Sequence, residues 1–132
     1  MLQWIKLILV VSLAATPFAS VAQDLPSPEG LWEVDSEDSR YEVELCGEDN
    51  DHLCGTLVWL GDGADNEDNR PYLNTMIVDH AVPVDENEWE GTLELFGHSA
   101  NGTIEQIDAN TIELVGCTLL IVCRSYRLHR IS

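Results

Sequence analysis

The side chains best suited to acid–base or metal chemistry are four histidines, which are widely spaced at His52, His80, His98 and His129. No two of them have the spacing of a metal-binding pair on a helix, and the chain lacks the Gly-x-Ser-x-Gly sequence of a nucleophilic serine. The 24 acidic residues single out no pair of carboxylates for general acid–base work. The sequence therefore does not predict an enzyme, and it indicates no cofactor.

Four cysteines form two close pairs, Cys46 with Cys54 and Cys117 with Cys123. Each pair flanks a short segment between two strand-like runs, so that a hairpin would bring its two members together, and we predict one disulfide within each pair. A zinc site is the competing interpretation. The seven and five intervening residues exceed the roughly two to four that separate paired cysteines in structural zinc motifs.

An acidic segment over residues 61–71 contains four acids and two asparagines, an inventory of oxygen ligands suited to calcium. Its candidate ligands are Asp65, Asn66 and Asp68, although their spacing does not follow the EF-hand pattern. In the alternative interpretation the segment is a solvated loop. The same side chains then bond to the backbone and hold the loop in place, with Arg70 as a local counter-charge.

The elements that must position these residues are strands. Tyr41, Val43 and Leu45 alternate with Glu42 and Glu44, which is the period of a half-buried strand. Similar patterns predict eight strands over residues 30–34, 41–46, 53–60, 76–80, 89–96, 103–107, 111–117 and 120–130. Turn-forming residues separate them at 47–51, 97–102 and 108–110, and a short helix within 70–78 is an alternative there. About eight short antiparallel strands predict an all-β domain, either a small barrel or a sandwich.

The first 22 residues have the pattern of a cleaved secretory signal peptide. Lys6 precedes an apolar run over residues 7–15, and the small residues Ser20 and Ala22 occupy cleavage-site positions. This run is about half the ~20 apolar residues that a membrane-spanning helix needs. We therefore predict cleavage after Ala22, no membrane insertion, and a periplasmic or secreted protein.

The predicted mature chain consists of an extended arm over residues 23–29 and a single domain over residues 30–132. Its basic residues are five arginines, against 24 acidic residues. Such a charge repels phosphate backbones, and a nucleic-acid-binding role would need a basic stripe that this chain lacks. Nucleic acid is excluded as a partner on these grounds.

The sequence resembles a bacterial exported family of uncharacterised function, DUF2147. The matching residues are Gly30-Leu31-Trp32, Leu53-Cys54-Gly55, Val58-Trp59-Leu60, Asp65-Asn66, Arg70-Pro71, Trp89, Gly91, Gly116-Cys117, Cys123-Arg124 and Arg130. The Gly-x-Trp sequence at Trp32, together with Arg130, is similar to the calycin and lipocalin arrangement in which an arginine covers a tryptophan by a cation–π contact. The resemblance implies a lipocalin-like up-and-down β-barrel and a structural clasp between Trp32 and Arg130. It implies no established activity.

A ligand inside such a barrel is the functional hypothesis, resting on analogy of fold. Strand alternation places Arg124 on the face of Tyr126 and Leu128, and an arginine that enters a barrel needs an anion, either a protein carboxylate or the acidic head of a ligand. The candidate ligand-binding residues are Arg124, Tyr126, Trp59, Tyr41 and Arg70. We predict that the ligand is a small apolar or amphipathic molecule.

The alternative hypothesis is a barrel filled by its own side chains, with no ligand. The protein would then act in the cell envelope through its acidic surface, or through a calcium-binding loop, to contact a protein partner that the sequence does not identify.

Overall fold

A computed structural model describes residues 11–15, 24–118 and 122–132. Within them the chain forms eight strands in one closed antiparallel barrel. The strands are β1 (Gly30–Val34), β2 (Ser39–Cys46), β3 (His52–Leu60), β4 (Met76–Asp85), β5 (Glu88–Leu95), β6 (His98–Asp108), β7 (Thr111–Thr118) and β8 (Val122–Arg130). Each strand pairs with the next, and β8 closes the barrel by pairing with β1. The predicted all-β, up-and-down barrel is confirmed.

The signal-peptide prediction falls mostly outside the described residues, which include neither Lys6 nor the cleavage site at Ser20 and Ala22. In the described part of the chain, no helix has the length and apolar character needed to cross a membrane.

The core is formed by the inward-facing residues, which alternate with outward-facing ones along each strand. In β7, buried Ile112, Leu114 and Gly116 alternate with half-buried residues that face outward. The main apolar cluster lies inside the barrel and includes Trp32 and Leu93, which are both completely buried. Because each inward side chain meets others from across the barrel, this cluster stabilises closure as well as local pairing.

The start of β6 corrects one prediction. We predicted a turn over 97–102, but the turn between β5 and β6 is confined to Phe96 and Gly97, and Asn101-Gly102 lies within β6. Phe96 and Gly97 have φ values of 47° and 84°, the left-handed pair that a two-residue type I′ hairpin requires. A glycine at position 102 leaves room for the side chain of Leu93, because an added Cβ there would lie 2.2 Å from Cδ1 of Leu93.

Two further boundaries differ from prediction. β4 continues to Asp85, well beyond the predicted end at residue 80, and the alternative helix over 70–78 is reduced to a three-residue 3₁₀ turn, Arg70–Tyr72. The predicted start of the last strand, at residue 120, lies outside the described residues.

The two predicted disulfides are confirmed, and none of the cysteines among the described residues is free. Cys46–Cys54 joins β2 to β3, and Cys117–Cys123 joins β7 to β8. His80 lies beside the first disulfide, with its ring nitrogen within 4.8 Å of both sulfur atoms.

The barrel has two different ends. At the lower end, where β1 starts, the chain turns over residues 47–51, 86–87 and 109–110, and the N-terminal arm lies against it. At the upper end the connections are 35–38, 96–97 and the long loop 61–75. This loop packs on the barrel through a second apolar cluster that includes Leu57, Leu60, Ala64 and Ile77. The lower end is covered by the arm, and the upper end carries the candidate site.

Candidate functional site

An inner cavity of about 190 Å³ lies within the barrel. Most of its wall is aliphatic and comes from opposite sides of the barrel, including Val43, Leu53, Val78, Ile104, Ile112 and Leu114. Gly55 also lines it, and a Cβ added there would make only ordinary contacts of 3.6 Å with Val78. The absence of a side chain at this inward position of β3 contributes to the free space.

The polar groups of the inner cavity lie on the connection between β1 and β2 and at the start of β2, apart from Tyr126 on β8. The Ser39 hydroxyl donates a hydrogen bond to Oη of Tyr41 at 3.0 Å, and Ser36 donates to the carboxylate of Asp38 at 2.7 Å. Burial raises the pKa of Tyr41 above its usual value, and the negative charge of Asp38 adds to this effect, although the Ser39 hydrogen bond opposes it. Tyr41 therefore presents a neutral hydroxyl to the cavity at physiological pH.

An outer cavity of about 380 Å³ adjoins the first, on the inner face of the upper parts of β6, β7 and β8. This space is open because the residues that line it on β6 and β7 include the small Ala100 and Gly116. Gly116 lies directly opposite Arg124 in the β7–β8 ladder. The lining residues His98, Val122 and Arg124 are exposed, so this cavity reaches solvent.

Phe96 and Tyr126 line both cavities and thus stand at their boundary. Phe96 occupies a left-handed position that bulky residues rarely adopt, at φ 47°. Its ring meets that of Tyr72, from the long loop, edge to face at a centroid distance of 5.9 Å. The fold thus places an aromatic side chain over the barrel interior from a turn where asparagine or glycine is usual.

Arg124 faces the outer cavity, on the same side of β8 as Tyr126 and Leu128. The other four arginines of residues 23–132 bind oxygen atoms: Arg40 pairs with Glu33, Arg70 with Asp65, Arg127 with Glu113, and Arg130 with backbone carbonyls. Arg124 makes no ion pair or side-chain hydrogen bond within the described residues, which include every aspartate and glutamate.

The five predicted ligand-binding residues do not come together. Tyr41 and Tyr126 line the inner cavity and Arg124 lines the outer one, whereas Trp59 and Arg70 line neither. Trp59 follows Leu57 by two residues, so simple alternation places it inside the barrel. A register shift opposite Arg40 and Tyr41 moves Trp59 to the outer face, where Arg40 lies 4.3 Å from its ring centroid.

The acidic loop is organised by its own hydrogen bonds. Oδ1 of Asn66 accepts bonds from the backbone N–H groups of Asp68 and Asn69, at 3.0 and 2.9 Å, and Asp65 pairs with Arg70 at 2.7 Å. Among the described residues, the calcium candidates Asp65 and Asp68 do not belong to any cluster of three potential metal-ligating side chains. Arg70 therefore acts in this loop and does not reach the cavities.

Sequence reasoning missed Ser39 and His98 as lining residues, and it missed the role of Gly116. The available signal was the occurrence of small residues, Ala100 and Gly116, at inward positions near the upper ends of two paired strands. Such residues leave space inside a barrel that large side chains would otherwise fill.

Fold and site together define a small antiparallel β-barrel that contains an aliphatic cavity and an adjoining cavity with an arginine at its mouth. Residues 30–130 match a family described as an uncharacterised protein conserved in bacteria, DUF2147. The chain belongs to this family. No curated protein and no solved structure matches the chain.

Proposed function

We propose that this protein is an exported binding protein that holds a small apolar or amphipathic molecule inside its barrel. The observation that carries the proposal is the inner cavity of about 190 Å³ with its largely aliphatic wall. Protein interiors are normally packed without spaces much larger than a water molecule. A cavity of this size in so small a barrel therefore favours a ligand-binding role over a filled barrel.

The volume limits the size of the ligand. An engineered apolar cavity of about 150 Å³ binds benzene, which has six carbon atoms. In proportion, 190 Å³ accommodates a group of about eight carbon atoms. The adjoining outer cavity provides room for a polar end, so a medium-chain amphipathic molecule fits the combined space better than a long-chain lipid.

The sequence resemblance of Trp32 and Arg130 to the lipocalin arrangement supports the same proposal by analogy of fold. Small eight-stranded barrels either fill their interior with side chains or hold one small ligand, and lipocalins do the latter. Export is supported by the signal-peptide pattern of residues 1–22 and by the two disulfides, since disulfides persist in oxidising compartments.

The test is calorimetric titration of 1-octanol, an uncharged probe, into protein purified without detergent after export from a bacterial host. The blocking variant is Gly55→Leu, which places a side chain inside the inner cavity at a position with ordinary strand geometry. The control is Thr56→Leu, the next residue of β3, which does not line the cavity. Both variants are first checked for an unchanged circular dichroism spectrum.

We expect wild type and Thr56→Leu to bind octanol with similar affinity and Gly55→Leu to bind it at least tenfold more weakly. If folded wild type binds no octanol, or if Gly55→Leu binds it as well as wild type, the proposal is wrong. The ligand-free interaction protein would then be the better account.

A further inference from the structure

We infer that the ligand is a medium-chain carboxylate whose head group is bound by Arg124 at the mouth of the outer cavity, while its alkyl chain lies in the inner cavity. This inference rests on the proposed function and adds the chemical class of the ligand and its orientation. It is carried by the pairing of charges in the protein and by the geometry of β8.

The protein has a strong excess of acidic over basic residues. The sequence has a formal net charge of −18, and 24 carboxylates surround very few cations. In such a protein an arginine finds a carboxylate easily, as Arg40, Arg70 and Arg127 do. Arg130 binds backbone carbonyls instead. Within the described residues Arg124 has neither kind of oxygen partner, so its guanidinium has donors free for an anion from outside the chain.

The surroundings of Arg124 preserve this local positive charge. Among the described residues that line the outer cavity there is no aspartate or glutamate, and His98 lines it as a further hydrogen-bonding group. Gly116, opposite Arg124, leaves its side of the cavity free. Among the described residues that line the inner cavity the acidic one is Asp38, which is on the connection between β1 and β2 and accepts a hydrogen bond from Ser36.

The geometry of β8 aligns this charge with the apolar interior. Arg124 lines the outer cavity, Tyr126 lines both cavities and Leu128 lines the inner one. A strand advances about 3.3 Å per residue, so the backbone positions of Arg124 and Leu128 are about 13 Å apart. An extended medium-chain carboxylate, together with the reach of the Arg124 side chain, covers this distance, with its charged end at the guanidinium and its methyl end among the aliphatic side chains.

A carboxylate suits the site better than a phosphate. The planar guanidinium matches a carboxylate or a phosphate in a two-point interaction, so the charge of the head group decides between them. A doubly charged head group would meet stronger repulsion from the acidic protein as a whole, because one exposed arginine offsets only one charge. The recognition is therefore local and directed at a singly charged head.

The experiment compares octanoate with 1-octanol, which has the same chain length without the charge. Both are titrated at neutral pH into wild type, Arg124→Gln, Arg124→Lys and Arg127→Gln. Arg127 is the matched control because it belongs to the same strand, is exposed, and pairs with Glu113 on the outside of the barrel. Thermal unfolding of each variant verifies that it is folded.

We expect wild type to prefer octanoate by about two- to fivefold, as one exposed but well-placed ion pair provides. Arg124→Gln should bind the two probes equally, Arg124→Lys should retain part of the preference, and Arg127→Gln should retain all of it. Equal binding of the two probes by wild type, or a preference that survives in Arg124→Gln, overturns this inference and leaves the proposed function intact. If neither probe binds wild type, the proposed function itself fails.

Discussion

The guanidinium of Arg130 lies 4.4 Å from the ring centroid of Trp32, at the lower end of the barrel. The same guanidinium donates hydrogen bonds to the backbone carbonyls of Ser27 and Glu29 in the N-terminal arm and of Ala109 in the turn between β6 and β7. Trp32 in turn donates from Nε1 to the carbonyl of Pro28 at 2.9 Å. These contacts fasten the arm across the lower end, so the cavities approach solvent from the upper end.

Replacing Arg130 should therefore destabilise the whole barrel. Hydrogen bonds from a charged donor contribute about 1.5 to 3 kcal/mol each and the cation–π contact about 0.5 to 2 kcal/mol, but these terms are not additive and the side chain is partly exposed. We expect Arg130→Gln to lower the free energy of unfolding by about 2 to 4 kcal/mol in urea titrations. Arg130→Lys should recover only part of this, because an ammonium group lacks the planar fork that reaches three carbonyls.

Arg127→Gln is the control for this prediction. Arg127 makes one exposed ion pair, at 3.3 Å, so its loss should change stability by less than about 1 kcal/mol. If Arg130→Gln is as mild as Arg127→Gln, the clasp contributes little and the lower end is held by other contacts.

Each disulfide should contribute substantially to stability. Their sequence separations are 8 and 6 residues, for which the chain-entropy model gives about 2.5 kcal/mol each. We expect the double variant Cys46→Ala/Cys54→Ala to lose more stability than Cys117→Ala/Cys123→Ala, because Cys54 is buried and Cys123 is exposed. Thermal unfolding of both variants measures the difference, and equal melting temperatures for all three proteins would contradict it.

Tyr41 predicts a specific loss of stability at alkaline pH. Burial raises the pKa of its phenol in the folded protein above the ordinary value of 10.0. As the pH rises above about 10, the unfolded chain loses this proton first, so the free energy of unfolding falls until the folded pKa is reached. Below that range the contribution is fully present. Urea titrations of wild type and Tyr41→Phe between about pH 8 and pH 11 measure this effect.

We expect Tyr41→Phe to lose about 1 kcal/mol at pH 8, through the lost hydrogen bond with Ser39, and to show a smaller alkaline decline than wild type. An alkaline decline of the same size in both proteins would show that other groups cause it.

Ligand affinity should depend on chain length in a stepwise way. Each additional methylene buried in the inner cavity contributes about 0.8 kcal/mol, or roughly fourfold in affinity. We expect this increment along the series from pentanoate to octanoate and a plateau beyond about eight carbons, when a cavity of 190 Å³ is full. Titration calorimetry of the series measures it. An increment that continues unchanged to dodecanoate would indicate a larger or different binding surface.

Local alternation was sufficient to predict the eight strands, because inward and outward residues differ in polarity along most of them. It failed at two places where packing across the barrel determines whether a residue lies in a strand or which face of the sheet it occupies. Asn101-Gly102 has the composition of a turn, but Gly102 is needed inside β6 because Leu93 occupies the space of its side chain. Two-residue alternation from Leu57 predicts that Trp59 points into the barrel. The register shift between β2 and β3 turns it to the outer face instead.

The candidate site was predictable only in part for the same reason. Alternation within β8 was sufficient to place Arg124 and Tyr126 on one face. The free space beside them depends on Gly116 from β7 and Phe96 from a distant turn, and their side-chain sizes become meaningful only once the strand order and register are known. Cavities are properties of several strands together, so no single strand pattern indicates them.

The most direct test of the account is to locate a bound chain by nuclear magnetic resonance. The protein carries labelled isoleucine and leucine methyl groups, and nuclear Overhauser contacts are recorded to the terminal methyl of octanoate. We predict contacts to Ile112 and Leu114, which line the inner cavity. Contacts confined to exposed residues such as Ile107, or none at saturating octanoate, would contradict a ligand inside the barrel.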